Sequence, residues 1–176
     1  MDILEVVVFA VGIFFFVYLL IMRPHKIKGM SMHPTFPDGE YLLTEKVSYY
    51  TRDPIRGDVI VFKAPPEISE DDEYIKRVIG LPGDTVMVQN GKVYVNDEQL
   101  NEYYLSDTLY TSGGGFLKEG SPYIVPEGKY IVMGDNRPHS LDSRSFGPIT
   151  KSTMSGRAWI VYWPAVQAGI VPKIKY

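Results

Sequence analysis

Apolar residues crowd one end of this chain and alternate with polar ones through the rest. Residues 3 to 22 read ILEVVVFAVGIFFFVYLLIM, with Glu5 the one charged position. At 1.5 Å per residue such a run makes a helix of about 30 Å, the thickness of a bilayer's hydrocarbon core. The expectation is an N-terminal transmembrane anchor over residues 1–22. A cleavable signal peptide needs a basic start and an A-x-A-like site. This chain starts Met-Asp and passes into RPHKIKG with no such site, so the anchor is expected to be retained. Arg23, Lys26 and Lys28 follow the segment, and no Lys or Arg precedes it. Taken literally, the positive-inside rule leaves the remainder in the cytoplasm. The rule weakens for long translocated domains, so charge alone leaves the orientation open.

From residue 40 onward the period changes to that of strands. EYLLTEKVSYY, GDVIVFKAP, YIKRVIGL, KYIVMGDN and RAWIVYWP each read as strands bounded by turn residues. TVMVQNGKVYVN is a hairpin, with Asn90-Gly91 as the pair that favours a type I′ turn. PPEISEDDE is a solvated acidic loop, and residues 101 to 122 are loop-rich around Gly113-Gly114-Gly115. No second helix of good length is predicted. The fold class expected is mainly β: a transmembrane helix, then a predominantly antiparallel β domain over 23–176, folded over or partly open as a barrel.

Composition narrows the chemistry. A net charge of -3 gives no basic field for nucleic acid. The absence of cysteine excludes disulfides, thiolate nucleophiles and Cys-based zinc sites. The 13 tyrosines, with frequent glycine and proline, suit short strands and many turns.

The candidate chemistry starts at K-G-M-S-M-H-P-T-F, residues 28 to 36, where Ser31 sits in a turn-like run just past the apolar segment. A serine nucleophile needs a base. His25 lies in the link after the anchor and is expected to face solvent. His33 is too close in sequence to approach from across a site. His139, with Asp142 nearby, can in principle complete a Ser-His-Asp arrangement. Lysine is the other option. In YIKRVIG, alternation puts Tyr74, Lys76 and Val78 on one face, and Ile75, Arg77 and Ile79 on the other. A buried lysine loses ammonium hydration, and a neutral amine becomes available at about pH 7 to 9. Arginine stays protonated, so of this pair only Lys76 can act as a base.

Three segments stand out together: GMSMHPT (29–35), YIKRVIGLPGD (74–84) and GDNRPHSLDSR (134–144). With the apolar segment and the GDVIVF strand, their order and wording resemble the type I signal peptidases, membrane-anchored Ser-Lys endopeptidases that remove signal peptides from exported proteins. The resemblance implies Ser31 as nucleophile and Lys76 as general base. It implies that the Ser140 hydroxyl hydrogen-bonds the lysine, and that Asp142 and Arg144 brace the site. Arg77 follows the lysine as in the family. Met32 is implied near the substrate groove, and Gly134, Asp135 and Asn136 form the turn into the last segment. Met30, Met32 and Phe36 are candidates for either the membrane interface or the core.

Some members of that family carry a second serine two residues before the nucleophile. Here that position is Gly29, as in the branch typical of Gram-positive bacteria, which leaves the Ser31 backbone N–H as the oxyanion donor that can be named. The stretch of roughly 85–130 corresponds to a short form of the family's variable β insertion. The resemblance implies no metal and no cofactor. It implies signal peptides of preproteins as substrates, cut after small residues in an A-x-A-like pattern. It further implies the bilayer and the protein translocase as neighbours, a cytoplasmic N-terminus and an extracytoplasmic catalytic domain. Two alternatives stand beside it: an anchored, signal-peptidase-like assembly factor for surface fibres, or an enzyme for a narrow set of surface-protein precursors. A self-cleaving repressor would need a DNA-binding helical module, which nothing here supplies.

Overall fold

The computed structural model describes residues 2–176, apart from the side chains at 17, 19 and 20. The apolar N-terminal segment forms helix α1 (Ile3–Ile21). The Glu5 carboxylate accepts from the Asp2 N–H at 3.0 Å, which explains the one charge in the run: it caps the helix start. Described side chains such as Leu4, Phe9 and Phe14 lie largely exposed rather than packed on the sheets. Among the described residues, no helix is long and apolar enough to cross a membrane.

Twelve strands follow: β1 (Met22–Lys26), β2 (Tyr41–Glu45), β3 (Val59–Lys63), β4 (Glu73–Gly80), β5 (Thr85–Gln89), β6 (Lys92–Val95), β7 (Glu98–Gln99), β8 (Tyr123–Ile124), β9 (Lys129–Met133), β10 (Ile149–Thr150), β11 (Met154–Trp163) and β12 (Gly169–Ile170). Two short helices interrupt them, α2 (Ser48–Thr51) and α3 (Ser143–Phe146). Seven strands run in the order β1-β2-β11-β3-β4-β9-β10, with β12 added against β11. The second sheet has the order β7-β6-β5-β8. The pairings are antiparallel.

The sequence pattern explains the layering. On β3, Val59 and Val61 join one core cluster while Ile60 and Phe62 join another, so the unbroken apolar run is buried on both faces. β4 links three clusters through Ile75, Val78 and Ile79. A register shift between Val78 and Gly80 lets the strand turn from one cluster to the next. The β5–β6 hairpin turns at Asn90 and Gly91, both at positive φ (52° and 77°), as a type I′ turn requires.

Two local expectations need correction. The run EYLLTEKVSYY does not stay a strand: β2 stops at Glu45, whose carboxylate accepts from the Ser48 N–H at 2.9 Å and starts α2. RPHK is not a solvated link. It pairs in full register with β2 as an edge strand, and its backbone hydrogen bonds carry His25 inward.

Candidate active site

Ser31 lies in the turn between β1 and β2. The loop is closed at its base by Ile27 N–H donating to the Glu40 carbonyl (2.8 Å) and Gly39 N–H donating to the Ile27 carbonyl (3.0 Å). Gly29 sits at φ 90°, where a side chain brings strain, and its N–H donates to Asp38 Oδ1 at 2.7 Å. A side-chain oxyanion donor at position 29 would thus come at a backbone cost. Met32 and Phe36 anchor the loop from below.

Lys76 reaches this turn from the centre of β4. Its Nζ lies 2.6 Å from Ser31 Oγ and donates to the Ile75 carbonyl at 3.0 Å. The residue is only 3% exposed. Burial lowers its pKa from 10.5 to about 8, against the upward pull of Asp142 and Asp135. Neither carboxylate forms an ion pair with it. The amine is therefore available as a base near neutral to mildly alkaline pH.

The polar residues around this pair form a separate framework. Arg77 grips Asp135 with two hydrogen bonds, from Nε (2.9 Å) and Nη2 (2.6 Å), donates to the Gly57 carbonyl, and stacks on Tyr104 at 4.3 Å. Asp142 caps α3 by accepting from the Arg144 N–H, and also accepts from the Gly134 N–H and the Arg144 guanidinium. Arg144 Nη2 in turn donates to the carbonyls of Arg137 and, at longer range, Ser140. Arg137 is buried on Glu102 and Thr111. A Cβ on Gly134 would run into both Ser140 Oγ and the Ser31 carbonyl, so only glycine allows the last segment to lie this close to the serine turn.

Two expected contacts are absent from this arrangement. Ser140 Oγ is buried against Gly134 and has no hydrogen-bond partner among the described residues, so the expected bond to Lys76 is not made. Lys76 spends its contacts on Ser31 Oγ and the Ile75 carbonyl instead. Met32, expected at the substrate groove, is 1% exposed and packs in the core with Ile27, Phe36 and Leu42. Phe36 is likewise core, whereas Met30 is 49% exposed.

A cleft of about 470 Å³ opens over Ser31 and Lys76. One wall is His25 to Met30, the other Asp71 to Ile75, and His139 and Leu141 close one side. His139 is exposed and makes no ion pair with Asp142, whose carboxylate is taken up by Arg144 and Gly134. His25 Nδ1 lies 3.1 Å from Glu73, and Nε2 lies 3.0 Å from Thr44 Oγ1. Burial pushes this imidazole below its usual pKa, opposed by Glu73. No group of three or more potential metal ligands occurs among the described residues.

The model of the family described as "Signal peptidase, peptidase S26" matches residues 1–163. The chain belongs to the signal peptidase family. Among its relatives, a probable signal peptidase I-2 from Synechocystis is 38% identical over 169 residues, covering 94% of this chain and 72% of that protein. Signal peptidase IB from Staphylococcus aureus is 39% identical over 163 residues, covering 86% and 83%. The crystal structure of a signal peptidase I from Enterococcus faecalis superposes with a TM-score of 0.50 at 34% identity, covering 60% of this chain and 97% of that one. This signal peptidase-family chain is thus a peptidase whose β domain resembles a solved signal peptidase I.

Sequence reasoning missed two partners in the site. Asn136, read only as part of a turn, donates from Nδ2 to the Met30 carbonyl (2.9 Å) and from its backbone N–H to the Ser31 carbonyl (3.0 Å). The His25–Glu73 pair joins positions 48 apart (73 − 25) and carries no local signal.

Proposed function

We propose that this chain is a serine endopeptidase that removes N-terminal signal peptides from exported preproteins, with Ser31 as nucleophile and Lys76 as general base. The observation that carries the proposal is the buried amine 2.6 Å from Ser31 Oγ. Neutral Lys76 takes the hydroxyl proton as Oγ attacks the scissile carbonyl. The Ser31 N–H receives the developing oxyanion. The ammonium returns the proton to the leaving amine. Water, deprotonated by the same lysine, then attacks the ester and frees the serine. The steps balance with peptide and water alone. Asp142 and Arg144 hold the last segment against the serine turn, and Arg77 with Asp135 holds β4. Ser140 fills the space between Gly134 and the site.

The substrate lies extended in the cleft between β1 and β4, adding main-chain hydrogen bonds as a strand would. Small residues at the -1 and -3 positions, as in A-x-A, are the specificity that family membership supports. The sequence segment 3–22 serves as a transmembrane anchor, continuous with the β domain over 23–176, which carries a short insertion at roughly 85–130. Ser31 follows Met22 by nine residues, at most about 30 Å of extended chain, so the cleft stays close to the headgroups. Signal peptides are cut after translocation. The N-terminus is therefore cytoplasmic and the catalytic domain extracytoplasmic, near the bilayer and the translocase. An assembly factor would have no need of a serine and a neutral lysine in contact.

The test is cleavage in detergent of a synthetic junction ending in A-x-A, by wild type, Ser31→Ala and Lys76→Ala in parallel. The expected result is cleavage after the second alanine by wild type alone. A folded wild type that leaves this junction intact but cuts one surface-protein precursor would overturn the broad substrate range. Undiminished cleavage by Ser31→Ala would overturn the nucleophile.

A further inference from the structure

Asn136 holds both peptide planes that flank the Ser31 Cα. Its backbone N–H donates to the Ser31 carbonyl at 3.0 Å, which fixes the plane following Ser31. Its carboxamide Nδ2 donates to the Met30 carbonyl at 2.9 Å, which fixes the plane before it. A carbonyl can only accept, so the amide must present its NH2 side here. The Met30 carbonyl also accepts from the His33 N–H at 3.1 Å, and both its lone pairs are then occupied.

The Ser31 N–H belongs to the same plane as the Met30 carbonyl. In a trans peptide the C=O and N–H point in opposite directions. Tying down the Met30 oxygen therefore sets where the Ser31 N–H aims. That N–H donates to no protein acceptor among the described residues, while Ser31 itself lines the cleft. Two hydrogen bonds onto the carbonyl also polarise the amide and strengthen its N–H as a donor.

We infer that Asn136 is a positioning residue for oxyanion stabilisation, acting through the Met30–Ser31 peptide. The inference rests on Ser31 being the nucleophile. Gly29 offers no side-chain donor, so the aim of this single N–H matters more here than in a site with two donors. The residue touches neither substrate nor reacting atoms. Its effect should appear in the transition state and not in ground-state binding.

The experiment compares wild type, Asn136→Ala and Asn136→Asp on the A-x-A junction, with Ser31→Ala alongside. Each is also titrated with a peptide aldehyde of the same sequence, whose carbonyl adds the serine oxygen to give a tetrahedral hemiacetal. Both Asn136 variants keep the backbone bond to the Ser31 carbonyl. The expected result is a fall in kcat of about tenfold, below the 10²–10³ of losing a donor outright, with KM within about twofold. Aldehyde affinity should fall by the same factor as kcat. Asn136→Asp should be at least as impaired, because its carboxylate faces the Met30 oxygen. A kcat within twofold of wild type, a loss confined to KM, or unchanged aldehyde affinity would overturn the inference. Loss of cooperative unfolding in both variants would overturn it too, by assigning Asn136 to the fold. Activity surviving in Ser31→Ala would instead remove the nucleophile on which it rests.

Discussion

Lys76 and Arg77 are neighbours on β4, point to opposite faces, and are both buried cations, at 3% and 1% exposure. What separates them is how the charge is met. Arg77 has a bidentate carboxylate, a backbone carbonyl and an aromatic face. Lys76 has a hydroxyl, one carbonyl and the Tyr74 ring 5.2 Å from its Nζ, but no carboxylate in ion-pair contact; Asp142 and Asp135 act on it only through their field. A guanidinium cannot discard its proton, so burial requires that its charge be fully met. An ammonium can discard it, and incomplete pairing makes it do so. The same strand thus carries a charge that holds the fold together and an amine with no carboxylate partner beside it.

Substitutions that exchange these two environments give the largest effects. Lys76→Arg keeps the charge and removes the base; cleavage should fall by about 10²–10⁴, and turnover near wild type would contradict the role given to the amine. Next comes Arg77→Ala, which strands the Asp135 carboxylate, 1% exposed. Chemical denaturation should show a loss of about 3–5 kcal/mol. A smaller change of opposite sign is expected for Lys76→Met. The depression of the lysine pKa from 10.5 to about 8 corresponds to a burial cost of roughly 3 kcal/mol at neutral pH. An apolar side chain of similar volume should recover about 1–2 kcal/mol of it, raising Tm while abolishing activity.

The same shift makes that last difference depend on pH. Below about pH 8 Lys76 is protonated in both folded and unfolded chains. Between about 8 and 10.5 the unfolded chain binds the extra proton, so wild-type stability gains with pH. Wild type regains up to roughly 3 kcal/mol across this window, so its stability gap to Lys76→Met should close and then reverse. A gap that stays constant would mean that burial does not disfavour the ammonium form.

Much of this contrast was legible in the sequence, because it is local. Strand alternation separated Lys76 from Arg77, and the inability of arginine to lose a proton chose between them. The hairpin at Asn90-Gly91 and the doubly buried GDVIVF strand were equally readable from turn chemistry and apolar runs. What could not be read were contacts set by long-range register. His25 looked solvated because nothing local shows that RPHK pairs with β2 or that Glu73 lies opposite. The family resemblance places Met32 near the substrate groove; the turn that brings Ser31 to the cleft is the same turn that drives Met32 into the core. Asn136 reaches Met30 from 106 positions away, and no pattern in either segment announces the bond. Ser140 occupies its expected neighbourhood, yet its hydroxyl packs against Gly134 and has no hydrogen-bond partner among the described residues.

If neutral Lys76 activates Ser31, cleavage must follow the deprotonation of that amine. The decisive measurement is kcat/KM against pH for the A-x-A junction, in wild type and His139→Ala. The expected outcome is a single rise with an apparent pKa near 8, unchanged by the histidine substitution. A pH dependence that disappears in His139→Ala would contradict the role given to the lysine and hand the base to the histidine.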